Sequence, residues 1–202
     1  MSFFYRFVRC LVWIYFKLFH RVRIVNAKNF ELIGDRGCLV ASNHVSFFDP
    51  PLLSLVPRSA LHFLARKTLW DTAWAAWLFP RLNAIPVDQE GSDMTALKKI
   101  IRLVQDGGRV VIFPEGQRSM DGKMLPGEPG VGLVLAKTKA PVVPVRISGA
   151  YESWPRSQKL PKLFKRITLV VGEPLEFKDD LGKGKEAYTA YSQRVMDAIA
   201  AI

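Results

Sequence analysis

Short apolar runs alternate with segments of helical periodicity along this chain of 202 residues. The runs are rich in branched and aromatic side chains, which is typical of buried strands; they cover residues 38–41, 61–65, 82–87, 109–113, 142–147 and 167–171. Residues 97–104 and 185–202 instead repeat apolar positions at helical spacing. Strands that alternate with helices predict an α/β fold, with a central, mostly parallel sheet covered by helices. Such sheets carry their functional sites in loops at the carboxyl ends of the strands.

The sequence Ser-Asn-His-Val-Ser-Phe-Phe-Asp-Pro over residues 42–50 lies where the first central strand ends and a helix begins. Pro50 suits the first position of a helix, and Asp49 suits the N-cap before it. A tight reversal between His44 and Asp49 would bring the carboxylate to one imidazole nitrogen and leave the other facing a substrate. A histidine oriented by a carboxylate is a general base with a fixed tautomer. The alternative is that Asp49 only caps the helix.

Three motifs in the middle of the chain occur in a characteristic order. Asn43-His44 is separated by four residues from Asp49, Phe-Pro-Glu-Gly-Gln-Arg-Ser covers residues 113–119, and Pro-Val-Val-Pro-Val covers residues 141–145. Over residues 38–147 this pattern resembles the glycerolipid acyltransferase family of the 1-acylglycerol-3-phosphate acyltransferase type. The resemblance implies transfer of a fatty acyl chain from an acyl-CoA or acyl carrier protein thioester to the free hydroxyl of a lysophospholipid, in phospholipid biosynthesis. It implies no metal and no cofactor beyond the thioester co-substrate.

The resemblance also implies roles for individual residues. His44 would act as the general base, and Asp49 would hold its ring. The residues implied in substrate binding are Asn43, Gln89, Glu115, Gly116 and Arg118. Among these, Arg118 is the best phosphate ligand, because a guanidinium group matches the geometry of phosphate oxygens. Val143 and Pro144 would shape the wall of an acyl pocket, or else form an ordinary buried strand.

Two positions depart from the family pattern near the expected acceptor site. Gln89 replaces the arginine that the family usually carries after Val-Asp, and Gly-Glu-Pro-Gly over residues 127–130 lacks the lysines that often precede the glycine. The acceptor is therefore either lysophosphatidate, held mainly by Arg118, or a lysolipid whose headgroup extends beyond the phosphate. The sequence is also compatible with a catalytically silent membrane-binding homologue, with a lipid hydrolase, and with an enzyme that uses Ser42 or Ser46 as a nucleophile.

The N-terminal segment indicates a membrane partner. Residues 3–19 are mostly aromatic or aliphatic but are interrupted by cations, so their longest apolar stretch is far shorter than the ~20 residues that span a bilayer. This pattern predicts an amphipathic, membrane-associating helix over residues 1–22, followed by an acyltransferase domain over residues 23–202. A core helix rich in aromatic residues is the alternative. We therefore expect a peripheral or monotopic protein at the cytoplasmic face of a membrane.

The net charge of +11 and the pI near 9.9 imply an anionic partner. Membrane lipids, coenzyme A and acyl carrier protein all qualify, whereas the sequence lacks the motifs of nucleic-acid-binding modules, so no nucleic acid is expected. The basic and apolar segment 156–166 would bind anionic lipid or an acidic carrier protein, or would be an ordinary solvated loop. Cys10 and Cys38 do not form a disulfide framework, which favours the reducing side of the membrane.

Overall fold

A central β-sheet forms the middle layer of the fold. The structure, a computed structural model, describes residues 1–87 and 94–202. Within them, seven strands form one sheet: β1 (Arg23–Val25), β2 (Cys38–Ser42), β3 (His62–Arg66), β4 (Ala84–Val87), β5 (Arg109–Ile112), β6 (Val142–Ser148) and β7 (Thr168–Val171). Their order is β1-β7-β6-β2-β5-β3-β4, and every neighbouring pair is parallel except β6 and β7. The predicted α/β class with a mostly parallel sheet is confirmed.

Helices cover both faces of this sheet. The α-helices of the described residues are α1 (Phe3–His20), α2 (Asp49–Leu53), α3 (Ala73–Arg81), α4 (Met94–Gln105), α5 (Pro129–Thr138), α6 (Ala150–Ser153) and α7 (Lys185–Ala200). Two 3₁₀ helices cover Ala27–Ile33 and Lys67–Asp71. Most connections are short, so consecutive elements pack beside one another.

Two local predictions differ from the structure. Residues 30–33, whose sequence suggests a strand or an irregular lead-in, belong to the first 3₁₀ helix. Phe30 and Ile33 are both buried there, because a 3₁₀ turn places side chains three apart on one side, whereas a strand would place them on opposite faces. The sequence predicts that Thr68 caps an aromatic helix, but Thr68 lies inside the second 3₁₀ helix, and α3 begins after Thr72. The sequence also suggests Ser92 as the N-cap of the helix that covers residues 97–104, and Ser92 lies outside the described residues.

Two hydrophobic clusters, one on each face of the sheet, form the core. Val40 and Val143 belong to the first cluster, together with Phe16 of α1. Leu39 and Val110 point to the opposite face and pack with side chains from α4, α5 and α7. Because successive side chains of a strand point to opposite faces, a continuous apolar run serves both clusters. Strand β2 is buried along its whole length, which fixes the loop that follows it.

Helix α1 has two apolar faces. One face is buried against the domain through Tyr5, Phe16 and His20. The other exposes large apolar side chains, namely Phe3, Phe7, Leu11, Ile14 and Leu18. The helix therefore combines the features of a core helix with those of an amphipathic surface helix, the two possibilities that its sequence allows. Among the described residues, no helix is both long and apolar enough to cross a bilayer.

Candidate active site

The loops that follow β2 and β5 meet at one edge of the sheet. The two strands are parallel neighbours, with Ala41 opposite Ile112, so their carboxyl ends point the same way. The loop after β2 carries His44, and the loop after β5 carries Glu115 and Arg118. The sheet thus joins two motifs in one site, although His44 and Glu115 are 71 positions apart in the chain.

The Asp49 carboxylate turns back to the loop in front of it. Its Oδ2 lies 2.8 Å from Nδ1 of His44 and accepts hydrogen bonds from the backbone N–H groups of Val45 (2.7 Å) and Ser46 (2.8 Å). The predicted N-cap role of Asp49 is wrong, because α2 begins at Asp49 itself and Phe48 occupies the N-cap position. Three donors in the preceding loop hold this fully buried carboxylate. It is therefore ready to orient the imidazole.

Three further contacts fix His44. Its ring stacks on Phe113, with the ring centroids 3.8 Å apart and the planes 13° from parallel. Its backbone N–H donates to Oε1 of Glu115 (2.8 Å), and its carbonyl accepts from the Ser119 N–H (2.8 Å). The side chain remains 18% exposed. With Nδ1 donating to Asp49, Nε2 carries the lone pair that can accept a substrate proton.

Glu115 ties the two loops together. Its Oε1 accepts from the His44 N–H, and its Oε2 accepts from the Leu125 N–H (2.9 Å). Burial raises the pKa of this carboxyl, while the two backbone hydrogen bonds oppose that rise. Because backbone donors occupy both oxygens, we assign Glu115 to positioning the histidine loop. This differs from the role in substrate binding expected from the sequence.

Glu115→Gln is expected to lower kcat and to leave the KM for the acceptor nearly unchanged. One end of the glutamine amide is a donor, so one backbone N–H of the loops would lose its partner, at a cost of about 1–3 kcal/mol. Steady-state kinetics on the folded variant measure this, with the exposed Glu152→Gln as a control. A raised acceptor KM with unchanged kcat would instead assign Glu115 to the acceptor.

A left-handed glycine shapes the loop after β5. Gly116 has a φ of +68°, and its N–H donates to the Phe113 carbonyl (3.0 Å). A Cβ at this position would also lie 3.2 Å from Cγ of Glu128. Any larger residue would therefore strain the turn that carries Glu115 and Arg118. The geometry of the turn is therefore enough to require glycine at position 116, whether or not Gly116 contacts a ligand.

The guanidinium group of Arg118 lies beside the histidine loop. Its Cζ is 3.7 Å from the centroid of the Phe47 ring, and its buried Nη1 has no hydrogen-bond partner among the described residues. Burial lowers the pKa of Arg118, the positive charges of Arg156 and Arg66 lower it further, and the charge of Asp49 opposes them. Three guanidinium groups therefore create a region of positive potential that an anion would relieve.

Sequence reasoning missed Arg66 and Arg156 as neighbours of Arg118. Arg66 is the last residue of β3, so it lies at the same carboxyl edge as the loop after β5. A cation that directly follows a predicted strand is a signal that could have found it. Arg156 follows α6, and the fold brings its charge close enough to lower the pKa of Arg118. No local pattern distinguishes it from the other cations of its segment.

Three other predicted site residues lie against strand β6 or within it. The side chain of Asn43 bridges to β6, because its Nδ2 donates to the Ile147 carbonyl (2.9 Å) and its Oδ1 accepts from the Ile147 N–H (2.8 Å). Both hydrogen-bonding groups of the Asn43 side chain are thus occupied by β6, and a role in substrate binding stays a prediction. Val143 and Pro144 are buried in the packing of β6, as the alternative of an ordinary buried strand predicts, and their role in an acyl pocket stays a prediction. Gln89 lies outside the described residues.

The two serines that flank His44 are engaged elsewhere. Ser42 Oγ donates to the Asn43 carbonyl (3.1 Å), and Ser46 Oγ donates to the Trp154 carbonyl (2.8 Å). Both residues are fully buried. The geometry therefore favours His44 acting on a substrate hydroxyl over either serine acting as a nucleophile.

Fold and site together define an α/β protein with a hydrogen-bonded histidine–aspartate pair in the same loop region as a half-buried arginine. The chain belongs to the Acyltransferase family, whose profile matches residues 21–148. This match covers both loops of the site and the strand β6 that follows them.

Relatives of this chain are 1-acyl-sn-glycerol-3-phosphate acyltransferases. The chain is 31% identical to that enzyme of Bacillus subtilis over 161 residues, which cover 78% of this chain and 75% of the relative. It is 27% identical to the human beta enzyme over 161 residues, which cover 77% of this chain and 56% of the relative. The crystal structure of the 1-acyl-sn-glycerophosphate (LPA) acyltransferase PlsC from Thermotoga maritima superimposes with a TM-score of 0.71 at 26% identity, covering 89% of this chain and 70% of that one. The resemblance inferred from the motifs is confirmed.

Proposed function

We propose that the protein transfers a fatty acyl chain from an acyl-CoA or acyl carrier protein thioester to the free hydroxyl of 1-acylglycerol-3-phosphate, in phospholipid biosynthesis. The observation that carries this proposal is the 2.8 Å contact between His44 and Asp49 near Arg118, whose Nη1 has no hydrogen-bond partner in the described part of the chain. A base next to an anion-binding group suits an acceptor that has both a hydroxyl and a phosphate. The names of the relatives support the same acceptor.

The proposed reaction is direct acyl transfer. Nε2 of His44 removes the hydroxyl proton as the acceptor oxygen attacks the thioester carbonyl carbon, and a C–O bond forms. The tetrahedral intermediate collapses with cleavage of the C–S bond, and the departing thiolate takes the proton back from the imidazolium. Asp49 holds Nδ1–H and stabilises the imidazolium through its charge. Stacking on Phe113 keeps the ring plane fixed while the proton moves.

The acceptor phosphate would be held by Arg118 with the help of Arg66 and Arg156. A phosphate monoester carries nearly two negative charges at neutral pH, so it gains more from three nearby guanidinium groups than a phosphodiester does. The arginine that the family carries at position 89 is then less necessary than the sequence alone implies. This argument favours lysophosphatidate over a lysolipid with a further headgroup.

A panel of acceptors and donors tests this proposal. Purified protein would be given labelled acyl-CoA or acyl carrier protein with lysophosphatidate or headgroup-bearing lysolipids, and the products would be identified by mass. We expect phosphatidate as the main product, and the donor panel assigns the thioester. Transfer only to headgroup-bearing lysolipids would change the acceptor. Absence of transfer to every lysolipid would favour a silent membrane-binding homologue and overturn the proposal.

Gln89→Arg is expected to leave activity on lysophosphatidate unchanged or to improve it. Adding the family's usual cation can only strengthen phosphate binding, if lysophosphatidate is the natural acceptor. The measurement is the ratio of kcat/KM for lysophosphatidate and lysophosphatidylglycerol, in wild type and variant. A wild type that prefers lysophosphatidylglycerol, and a variant that shifts toward lysophosphatidate, would instead show that the neutral Gln89 selects a larger headgroup.

A further inference from the structure

Two segments carry nearly all of the net positive charge. Residues 1–23 and 156–166 contain ten of the 29 lysines and arginines and none of the 18 acidic residues. The rest of the chain is therefore close to neutral. A general excess of cations would be spread over the surface, whereas this distribution points to a specific anionic partner at these two segments.

The two segments lie side by side in the fold. The Phe164 N–H donates to the Phe19 carbonyl (2.7 Å), and the Ile167 N–H donates to the His20 carbonyl (3.1 Å), so the end of loop 156–166 is fastened to the end of α1. The Lys162 N–H donates to the Ser153 carbonyl (2.7 Å), which ties the middle of the loop to α6. The loop is therefore fixed beside the C-terminal end of α1, where the Phe164 ring also lies 6.1 Å from the ring of Phe19.

Loop 156–166 presents large apolar side chains between its cations. Leu160 is 78% exposed and Phe164 is 68% exposed, close to the 65% of Leu18 on α1. Phe164 also has a φ of +62°, which is rare for a bulky residue. A left-handed backbone that exposes an aromatic ring to water lowers the stability of the loop. Such conformations cluster at functional sites, so this one indicates that the loop binds a partner.

We propose that loop 156–166 is a second membrane-binding element, which inserts Leu160 and Phe164 into the headgroup region of an anionic phospholipid bilayer next to the C-terminal end of α1. The cations Lys159, Lys162, Lys165 and Arg166 would meet lipid phosphates. An acidic carrier protein would satisfy these cations but would give no apolar environment to the exposed leucine and phenylalanine. Apolar side chains that alternate with lysines suit the bilayer interface better.

The same loop is joined to the active site. The carbonyl of Trp154, two residues before the loop, accepts from the Phe47 N–H (3.2 Å) and from Ser46 Oγ (2.8 Å). Phe48 packs against the ring of Trp154 and the ring of Phe16, with centroids 5.0 Å apart in each case. Binding of the loop to a bilayer would therefore hold the histidine loop next to the surface from which a lipid acceptor comes.

Vesicle sedimentation tests this inference. The full chain would be mixed with vesicles of phosphatidylglycerol and phosphatidylcholine, and Leu160→Asp and Phe164→Asp are each expected to weaken binding about tenfold or more. Aspartate tolerates the left-handed conformation, so Phe164→Asp does not add backbone strain. Leu32→Asp is the matched control, because Leu32 is 64% exposed and lies on the 3₁₀ helix before β2, at the opposite edge of the sheet. Thermal melts confirm folding.

Lysine variants and high salt test whether vesicle binding depends on charge. Lys159→Gln and Lys165→Gln should each weaken binding to anionic vesicles about fivefold, and high salt should weaken wild-type binding, since the Debye length falls from about 10 Å at 0.1 M to about 3 Å at 1 M. The inference would be overturned if both aspartate variants were folded and bound the vesicles as tightly as the wild type does. Binding of the lysine variants to acyl carrier protein would be measured as well. The inference would also be overturned if these variants lost affinity for the carrier protein but kept their affinity for vesicles. Vesicle binding is measured without catalysis, so a failure of the proposed acyltransferase function would not affect it.

Discussion

His44→Ala is expected to reduce acyl transfer by about a hundred- to ten-thousandfold, because a positioned general base contributes rate enhancement of that size. Asp49→Asn should lose much of the same factor, since an amide cannot stabilise the imidazolium by charge and favours the wrong tautomer. Initial rates with saturating donor and acceptor measure both effects. Because Asp49 is fully buried and accepts three bonds, its variant needs a thermal melt beside each rate.

His62→Ala is the matched control for this experiment. It removes another half-buried imidazole, but from the start of β3, at the edge of the sheet away from the active site. We expect it to keep most of the wild-type rate. A folded His44→Ala protein with near-normal turnover would remove His44 from the mechanism.

Arg118→Ala is expected to raise the KM for lysophosphatidate about ten- to a hundredfold, because a hydrogen bond to a charged group contributes about 1.5–3 kcal/mol. The KM for the acyl donor should change much less. Arg118→Lys should recover part of the affinity, since lysine keeps the charge but loses the planar fork. Acceptor titrations at saturating donor measure all three values.

Arg102→Ala is the control for the loss of an arginine. Arg102 lies on α4, its side chain is 87% exposed, and its Nε lies 4.0 Å from Asp106 Oδ2, so its removal should not change the acceptor KM. An acceptor KM that is equally insensitive to Arg118→Ala would place the phosphate elsewhere. A raised acceptor KM in Arg66→Ala and in Arg156→Ala, with the donor KM unchanged, would confirm that these cations act on the same ligand as Arg118.

Structural features that depend on a short stretch of sequence were predictable. The apolar runs at β2 and β5 are flanked by turns and have no polar face, so they read as central strands, and the structure has them there. The His44–Asp49 contact was equally accessible, because both partners lie within one short loop. The short separation of His44 and Asp49 in the sequence limits how far apart their side chains can lie.

Contacts between distant segments were not predictable in this way. Glu115 reads as a polar residue in a motif, and only the parallel pairing of β2 with β5 gives its carboxylate the His44 N–H as a partner. Asn43 looks available to a substrate in the sequence, but in the fold β6 provides Ile147 as its partner. The apolar periodicity of α1 does not show which face is buried against the domain and which is exposed, because a core and a membrane surface favour the same side chains.

The fate of a labelled acyl group with and without acceptor tests the central claim most directly. Wild-type protein would be incubated with the labelled thioester alone and then with lysophosphatidate, and label would be followed in lipid, free fatty acid and protein. Direct transfer predicts no release of fatty acid and no labelled protein before the acceptor is added, and labelled phosphatidate afterwards. Fatty acid released without an acceptor would show a hydrolase. Label bound covalently to Ser42 or Ser46 would show a serine nucleophile and contradict His44 acting on the acceptor hydroxyl.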